Sequence, residues 1–254
     1  MQFDFTGKRV LVTGGTRGIG KAVVNAFHKA GACVAINGRT VESVASAIDR
    51  IADTSRLVSA PGDIGSVSGC ETVVKAAIEG LGGLDVLVNC AGVGISVAIE
   101  ASDESLWDKT LSVNLKGTFF CIQAALEALR LSKGCIINIA SDAGLMGNHN
   151  SSIYCASKGG VVNMTRALAL ELSPQLRINC VCPGYVDTDM VRRDWIDQHH
   201  DPERLEKIVC NYAPLKRMAT PAEIANSILY LATPEAGFIT GSALQIDGGS
   251  TAGH

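Results

Sequence analysis

The stretch Arg9-Val10-Leu11-Val12-Thr13-Gly14-Gly15-Thr16-Arg17-Gly18-Ile19-Gly20 changes periodicity halfway along. Arg9 to Thr13 is a short run rich in β-branched residues, the composition of a strand. Glycines follow at once, and beyond them Ile19, Val23 and Phe27 recur at the spacing of one helix face. The reading is strand, tight turn, helix. Gly31 stops that helix, the apolar run 33–36 follows, and the cycle repeats. Further strands are expected at 56–60, 84–89, 135–140, 177–181 and 243–246, with helices near 41–52, 66–80, 103–130, 153–173 and 221–232. Such alternation predicts parallel strands joined by right-handed crossovers, with helices on both faces. The expected fold is therefore α/β: a doubly wound parallel sheet in three layers, forming a single domain over 1–254.

Composition supports one buried sheet. Hydrophobic residues make up 47% of the 254 and charged residues 19%, enough apolar material for a core and unlike a disordered chain. A formal charge of -3 gives no long-range attraction for nucleic acid or for an anionic membrane. The start of the chain, 1–9, has no apolar core of a signal peptide, and no apolar run reaches the roughly 20 residues of a membrane span. Nine cysteines, an odd number lying mostly in apolar runs without metal-ligand spacing, read as core residues of a cytoplasmic protein and predict no metal site. Cys155, next to Tyr154, is the one candidate for a reactive thiol.

The glycine turn lies between a strand and a helix, which is the setting of a dinucleotide-phosphate turn. Gly14 permits a tight turn, Gly18 lets the backbone approach a pyrophosphate, and Gly20 allows close helix packing. Free N–H groups at the helix start face the anion. After the second strand, where an acid marks preference for a ribose 2′-hydroxyl, this chain has Asn37-Gly38-Arg39. Arg39, helped by Arg17 on the turn, matches a 2′-phosphate in charge and geometry, so NADP(H) is favoured and NAD(H) stays open.

The region 183–215 reads as irregular, with Trp195 and a mixed cluster of Arg192, Arg193, Asp194, Asp197, His199, His200 and Asp201. Ligands of open α/β sheets bind beyond the carboxyl ends of the strands, so 185–215 is expected to form a substrate-binding lid.

Tyr154 and Lys158 lie four residues apart in a helical segment, on one face. A free phenol has a pKa of about 10, and a neighbouring ammonium favours phenolate and lowers that value. A phenol so tuned exchanges a proton with a carbonyl or alcohol oxygen.

With these residues in place, the chain resembles the short-chain dehydrogenase/reductase family over nearly its whole length. The resemblance rests on Thr13 to Gly20, Asp63-Ile64, Asn89-Cys90-Ala91-Gly92, Asn114-Leu115-Lys116-Gly117, Ser141, Tyr154-Cys155-Ala156-Ser157-Lys158, Pro183-Gly184, Ile239-Thr240-Gly241 and Asp247-Gly248-Gly249. It implies a Rossmann-type fold with Tyr154 as acid/base, Ser141 on the reacting oxygen, Lys158 on the nicotinamide ribose and Asn114 in a proton relay. It also implies a cofactor site made of Gly14, Thr16, Arg17, Gly18, Ile19, Gly20, Arg39, Asp63, Ile64, Asn89, Ala91, Gly92, Tyr154, Lys158, Pro183, Gly184, Val186 and Thr188, and a homotetramer. Cys90 replaces the family's second asparagine, a departure expected to touch stability more than chemistry.

The first functional expectation is hydride transfer between NADP(H) and a small ketone or secondary alcohol. A 3-oxoacyl group on a carrier protein, with Arg130, Lys133 and Arg177 as an acidic-partner dock, and a sugar or polyol are alternatives within the same chemistry. A nucleotide-sensing regulator without turnover is the alternative outside it. His149, Asn150, Ser152, Tyr185 and Trp195 are the expected pocket residues.

Overall fold

The computed structural model describes residues 3–253. In chain order the main elements are β1 (Arg9–Thr13), α1 (Gly18–Lys29), β2 (Cys33–Ile36), α2 (Val41–Ile48), β3 (Leu57–Ser59), α3 (Val67–Leu81) and β4 (Val86–Asn89). They continue with α4 (Glu104–Leu111), α5 (Thr118–Ser132), β5 (Cys135–Ile139), α6 (Ser152–Leu172), β6 (Arg177–Pro183), α7 (Pro202–Tyr212), α8 (Pro221–Ala232) and β7 (Ala243–Ile246). The seven strands form one sheet in the order β3-β2-β1-β4-β5-β6-β7, and every pairing is parallel. The doubly wound sheet expected from the alternation is present.

Strand period two divides the core. Val10 and Val12 of β1, with Val34, Ile36, Val86 and Val88, face α1 and α8 through Val24, Phe27, Ile224 and Ile228. Leu11, Ala35, Leu87, Ile136 and Ile178 face the other layer, against Val73 of α3, Ile122 of α5 and Leu168 of α6. Each fully buried Val, Leu or Ile contributes about 1.5–3 kcal/mol. Chain order reverses between β1 and β4, the switch point that opens a ligand crevice beyond the carboxyl ends of the strands.

Two elements differ from expectation. The helix expected over 103–130 is present but contains a π stretch at Ser112–Gly117, through which α4 runs on into α5. Hydrophobic periodicity runs through such a bulge almost unchanged, so sequence spacing does not reveal it. The irregular region 183–215 contains α7, opened by Asp201, whose side chain accepts from Arg204 N, and by Pro202 at its first position. Charged residues around Leu205 and Val209 mask its narrow apolar stripe. No helix among the described residues is long and apolar enough to cross a membrane.

Candidate active site

The turn after β1 is shaped by what its glycines lack. Gly14 has φ +62°, and a side-chain carbon there would stand 2.7 Å from Ala91 Cα. One on Gly20 would stand 2.2 Å from Gly14 O, so α1 packs directly on the turn. Gly18 has φ +54°, with only the Thr188 side chain nearby. No side chain caps α1, whereas side chains cap α2, α3, α4, α7 and α8. The first N–H groups of α1 are thus open to an anion, and the residues present fit a dinucleotide.

Thr16 lies against Gly38, and half-buried Ile19 packs on the core beneath the turn. Arg39 is exposed after β2, and Asp63 and buried Ile64 follow β3. Asn89 to Gly92 follow β4, where a carbon on Gly92 would stand 3.3 Å from Asn114 Oδ1 and 3.5 Å from Lys158 Nζ. Pro183 ends β6, Gly184 N donates to Ile246 O (3.2 Å), and Val186 is buried. All the expected cofactor residues therefore border the carboxyl end of the sheet.

Two residues that sequence reasoning passed over hold this rim together. Buried Asn37 accepts from Gly14 N (3.2 Å) and donates to Ala60 O (3.0 Å) and Gly62 O (3.1 Å), tying the turn to the ends of β2 and β3. Thr13 Oγ1 accepts from Cys90 N (3.0 Å) and Ala91 N (3.2 Å), fixing the loop after β4. Both stood inside quoted motifs; only side-chain direction assigns them. β4 and β5 are braced by Asn89 Nδ2 donating to Asn138 Oδ1 (2.9 Å), without any part for Cys90, whose thiol burial pushes up to about 12.

The catalytic candidates converge after β5. Ser141 is extended and buried; its hydroxyl accepts from Ala143 N (3.2 Å) and donates to Asp142 Oδ1 (2.9 Å). Tyr154 and Lys158 share one face of α6, with Lys158 Nζ 5.8 Å from the Tyr154 ring centre and donating to Ile139 O (2.8 Å). Asn114 sits in the π turn, where Nδ2 donates to Val93 O (2.9 Å) and Ser157 Oγ (3.0 Å) and Oδ1 accepts from Val93 N (2.8 Å).

The electrostatics correct one expectation. Burial pushes the Tyr154 phenol up to about 12, only partly opposed by the Ser141 hydroxyl, whereas the sequence argument expected depression by Lys158. Burial also pushes Lys158 down to about 8, and its ammonium is turned toward the Ile139 carbonyl. Desolvation therefore dominates both groups in the protein alone.

Over this centre lies the segment after β6. A carbon on Gly94 would stand 3.1 Å from Met190 Sδ and 3.7 Å from Tyr154 Cε2. Tyr185 stacks on Trp195 (5.7 Å between ring centres) and meets Tyr212 edge-on (5.3 Å), and the Tyr212 hydroxyl donates to Asn148 Oδ1 (3.3 Å). His149, Asn150 and Ser152, from the loop before α6 and its first residue, are exposed. Tyr212 escaped sequence reasoning because α7 did. Arg17 pairs with Asp194 of the same segment (3.4 Å), so the arginine expected to help on a 2′-phosphate is engaged by a carboxylate.

The proposed acidic-partner dock is not assembled at the site. Lys133 precedes β5 and Arg177 opens β6, at the opposite end of the strands from Ser141 and Pro183. Arg177 also donates to Leu231 O, Ile239 O and Thr233 O.

Comparison with known proteins places the chain and its fold in a family. A family model described as enoyl-(acyl carrier protein) reductase matches residues 14–251. The (2S)-[(R)-hydroxy(phenyl)methyl]succinyl-CoA dehydrogenase subunit BbsD of Thauera aromatica is 39% identical, covering 94% of each chain. The meso-2,3-butanediol dehydrogenase of Serratia marcescens is 35% identical over 99% of this chain and 97% of its own. A solved short-chain dehydrogenase/reductase from Brucella melitensis, described as of the glucose/ribitol dehydrogenase type, superimposes with TM-score 0.91 at 33% identity, covering 98% of this chain and 99% of that one. With its glycine turn, parallel sheet and paired Tyr154 and Lys158, the chain belongs to the short-chain dehydrogenase/reductase family of nicotinamide-dependent oxidoreductases.

Proposed function

We propose that this protein interconverts a small ketone and its secondary alcohol with NADP(H), Tyr154 moving the proton. The observation that carries this reading is the convergence of Ser141, Tyr154 and Lys158 beyond β5, beside a glycine turn whose helix start is uncapped. When bound, the nicotinamide supplies or accepts the hydride. Tyr154 gives its hydroxyl proton to the carbonyl oxygen or takes one from the alcohol, and the Ser141 hydroxyl stands beside that oxygen. Lys158 holds the ribose and returns positive charge toward Tyr154, and Asn114 orders the loop at Val93 and α6 at Ser157. Asn89 to Gly92 and Pro183 to Thr188 border the cofactor, and 185–215 acts as the substrate lid.

Arg39 carries the NADP(H) preference, since no acid occupies the end of β2 and its guanidinium is exposed there. Arg17 joins it only after leaving Asp194. Nine unpaired cysteines support a reducing, cytoplasmic setting. An apolar groove formed by Leu111, Leu115, Phe119, Phe120 and Met164, away from Tyr154, supports assembly as a homotetramer.

A panel of ketones, secondary alcohols, polyols and a 3-oxoacyl thioester, assayed with NADPH and NADH side by side, tests the reading. Tyr154→Phe is expected to keep cofactor binding, followed by nucleotide fluorescence, and to lose turnover by about a thousandfold. Full activity in that variant overturns the proposed role of Tyr154. Binding of NADPH without turnover of any panel member favours a regulator.

A further inference from the structure

Directly after Ser141 the chain places a second acid whose work the proposed reaction does not use. Asp142 is 5% exposed, and its Oδ1 accepts both the Ser141 hydroxyl (2.9 Å) and Ala143 N (2.7 Å). Among the described residues no cation pairs with it. The groups that face it are Tyr154 of α6, Cys182 of β6, Tyr185 after β6, Tyr212 closing α7, and Asp247 and Ser250 after β7. Burial, with a smaller push from Asp247, raises the Asp142 carboxyl above the ordinary range of an aspartate, and the bonds from Ser141 and Ala143 oppose this. A buried carboxyl without a counter-ion changes charge closer to neutral pH than a surface one.

A serine has one hydroxyl proton to give. While Asp142 is ionised that proton is held by Oδ1, and Ser141 shows the reacting centre only lone pairs. A ketone oxygen accepts hydrogen bonds and donates none; an alcohol oxygen does both. An ionised Asp142 thus withholds from a ketone the second donor beside Tyr154, while an alcohol still fits. Protonated Asp142 itself donates to Ser141 Oγ, and the serine proton is free to turn to the carbonyl.

We propose that Asp142 is a positioning residue that sets the direction of the Ser141 hydrogen bond and thereby tunes how well the site holds a ketone relative to its alcohol. The proposal rests on the reading above that Ser141 meets the reacting oxygen. It requires no additional reactant, because only a hydrogen bond reverses.

Two measurements test it. Alanine labelled with 15N gives the Ala143 amide as a reporter of the Asp142 carboxyl, whether or not any substrate is turned over. Its resonance is expected to titrate in the wild type, to stay still in Asp142→Asn, and to titrate at higher pH in Ser141→Ala, where a bond favouring the carboxylate is gone. An unchanged midpoint in Ser141→Ala overturns the proposal. With the ketone and alcohol pair found by the panel, KM is then followed across the pH range in which the Ala143 resonance titrates. The wild-type KM for ketone is expected to rise about tenfold as Asp142 ionises, the worth of one neutral hydrogen bond, while the alcohol KM moves much less.

Asp142→Asn keeps an acceptor at Oδ1, so its ketone KM should stay high and flat with pH. Asp142→Ala offers none, so its ketone KM should stay low and flat. A merely structural role moves both variants, and both substrates, the same way, and that result overturns the proposal. Absence of turnover across the panel counts against the proposed function, and the Ala143 titration still decides the link between Ser141 and Asp142.

Discussion

Lys158 is held at a thermodynamic disadvantage. Its ordinary value of 10.5 falls to about 8 on burial, and its one hydrogen bond, to Ile139 O, is to a neutral group. Below pH 8 both folded and unfolded chains carry the proton, and the folded chain bears the full desolvation penalty, about 3 kcal/mol. Between pH 8 and 10.5 the folded state loses its proton first, so stability rises with pH. Lys158→Met keeps the aliphatic stem and leaves only the Ile139 carbonyl unpaired. It is expected to stabilise the cofactor-free protein by about 1–2 kcal/mol at pH 7, with the gain shrinking toward pH 10 and turnover lost. Urea denaturation at the two pH values checks this, and a variant less stable than wild type at pH 7 refutes it. Arg39 is the second residue with a sharp consequence. Arg39→Asp is expected to lower kcat/KM with NADPH at least tenfold and to spare or improve NADH, a charge reversal at an exposed position. Equal effects on the two cofactors would remove Arg39 from the preference.

The first turn of α1 shows how packing leaves a helix start open. Gly20 lets the helix rest on Gly14 O, and Asn37 ties the turn to two further strands, so the open N–H groups of α1 are held by packing. Gly20→Ala forces the helix off the turn, with an expected loss of about 1–3 kcal/mol and a larger loss of dinucleotide affinity. Thermal unfolding with and without NADPH separates the two, and full cofactor-induced stabilisation in the variant argues against a phosphate role. The sequence displayed this turn openly because strand, glycines and helix are contiguous. It did not display the π turn at Ser112–Gly117, because one added residue barely alters the apolar repeat, yet that turn directs Asn114 at Val93 and Ser157. Nor did it display α7, whose two buried anchors, Leu205 and Val209, stand among charges.

Across the molecule the sheet order brings distant segments to one rim. Residues following β1, β4, β5 and β6 meet there, although they are spread from Gly14 to Thr188. The apolar groove on α4, α5 and α6 lies elsewhere, lined by Leu115 and by Phe119, which is 37% exposed. For the proposed tetramer, Phe119→Asp is expected to shift the protein toward smaller species without unfolding it, read by light scattering and far-ultraviolet circular dichroism. A monomeric wild type overturns the proposed assembly, and a tetramer indifferent to this charge places its surface elsewhere.

Contiguous motifs such as Thr13 to Gly20 and Tyr154 to Lys158 were readable from the chain because their meaning lies in local spacing. So was the alternation of strands and helices, since each period is set by backbone geometry. The direction in which the Tyr154 phenol moves was not readable from spacing, because desolvation depends on what surrounds a group, and here burial raises it. Arg17 was likewise read as free for a phosphate until folding brought Asp194 to it across 177 residues. Nothing in local spacing marks Asp142; its burial, with no cation paired to it among the described residues, exists only in the fold. Charge and hydrogen-bond direction at the centre are properties of packing, and only the tertiary structure decides them.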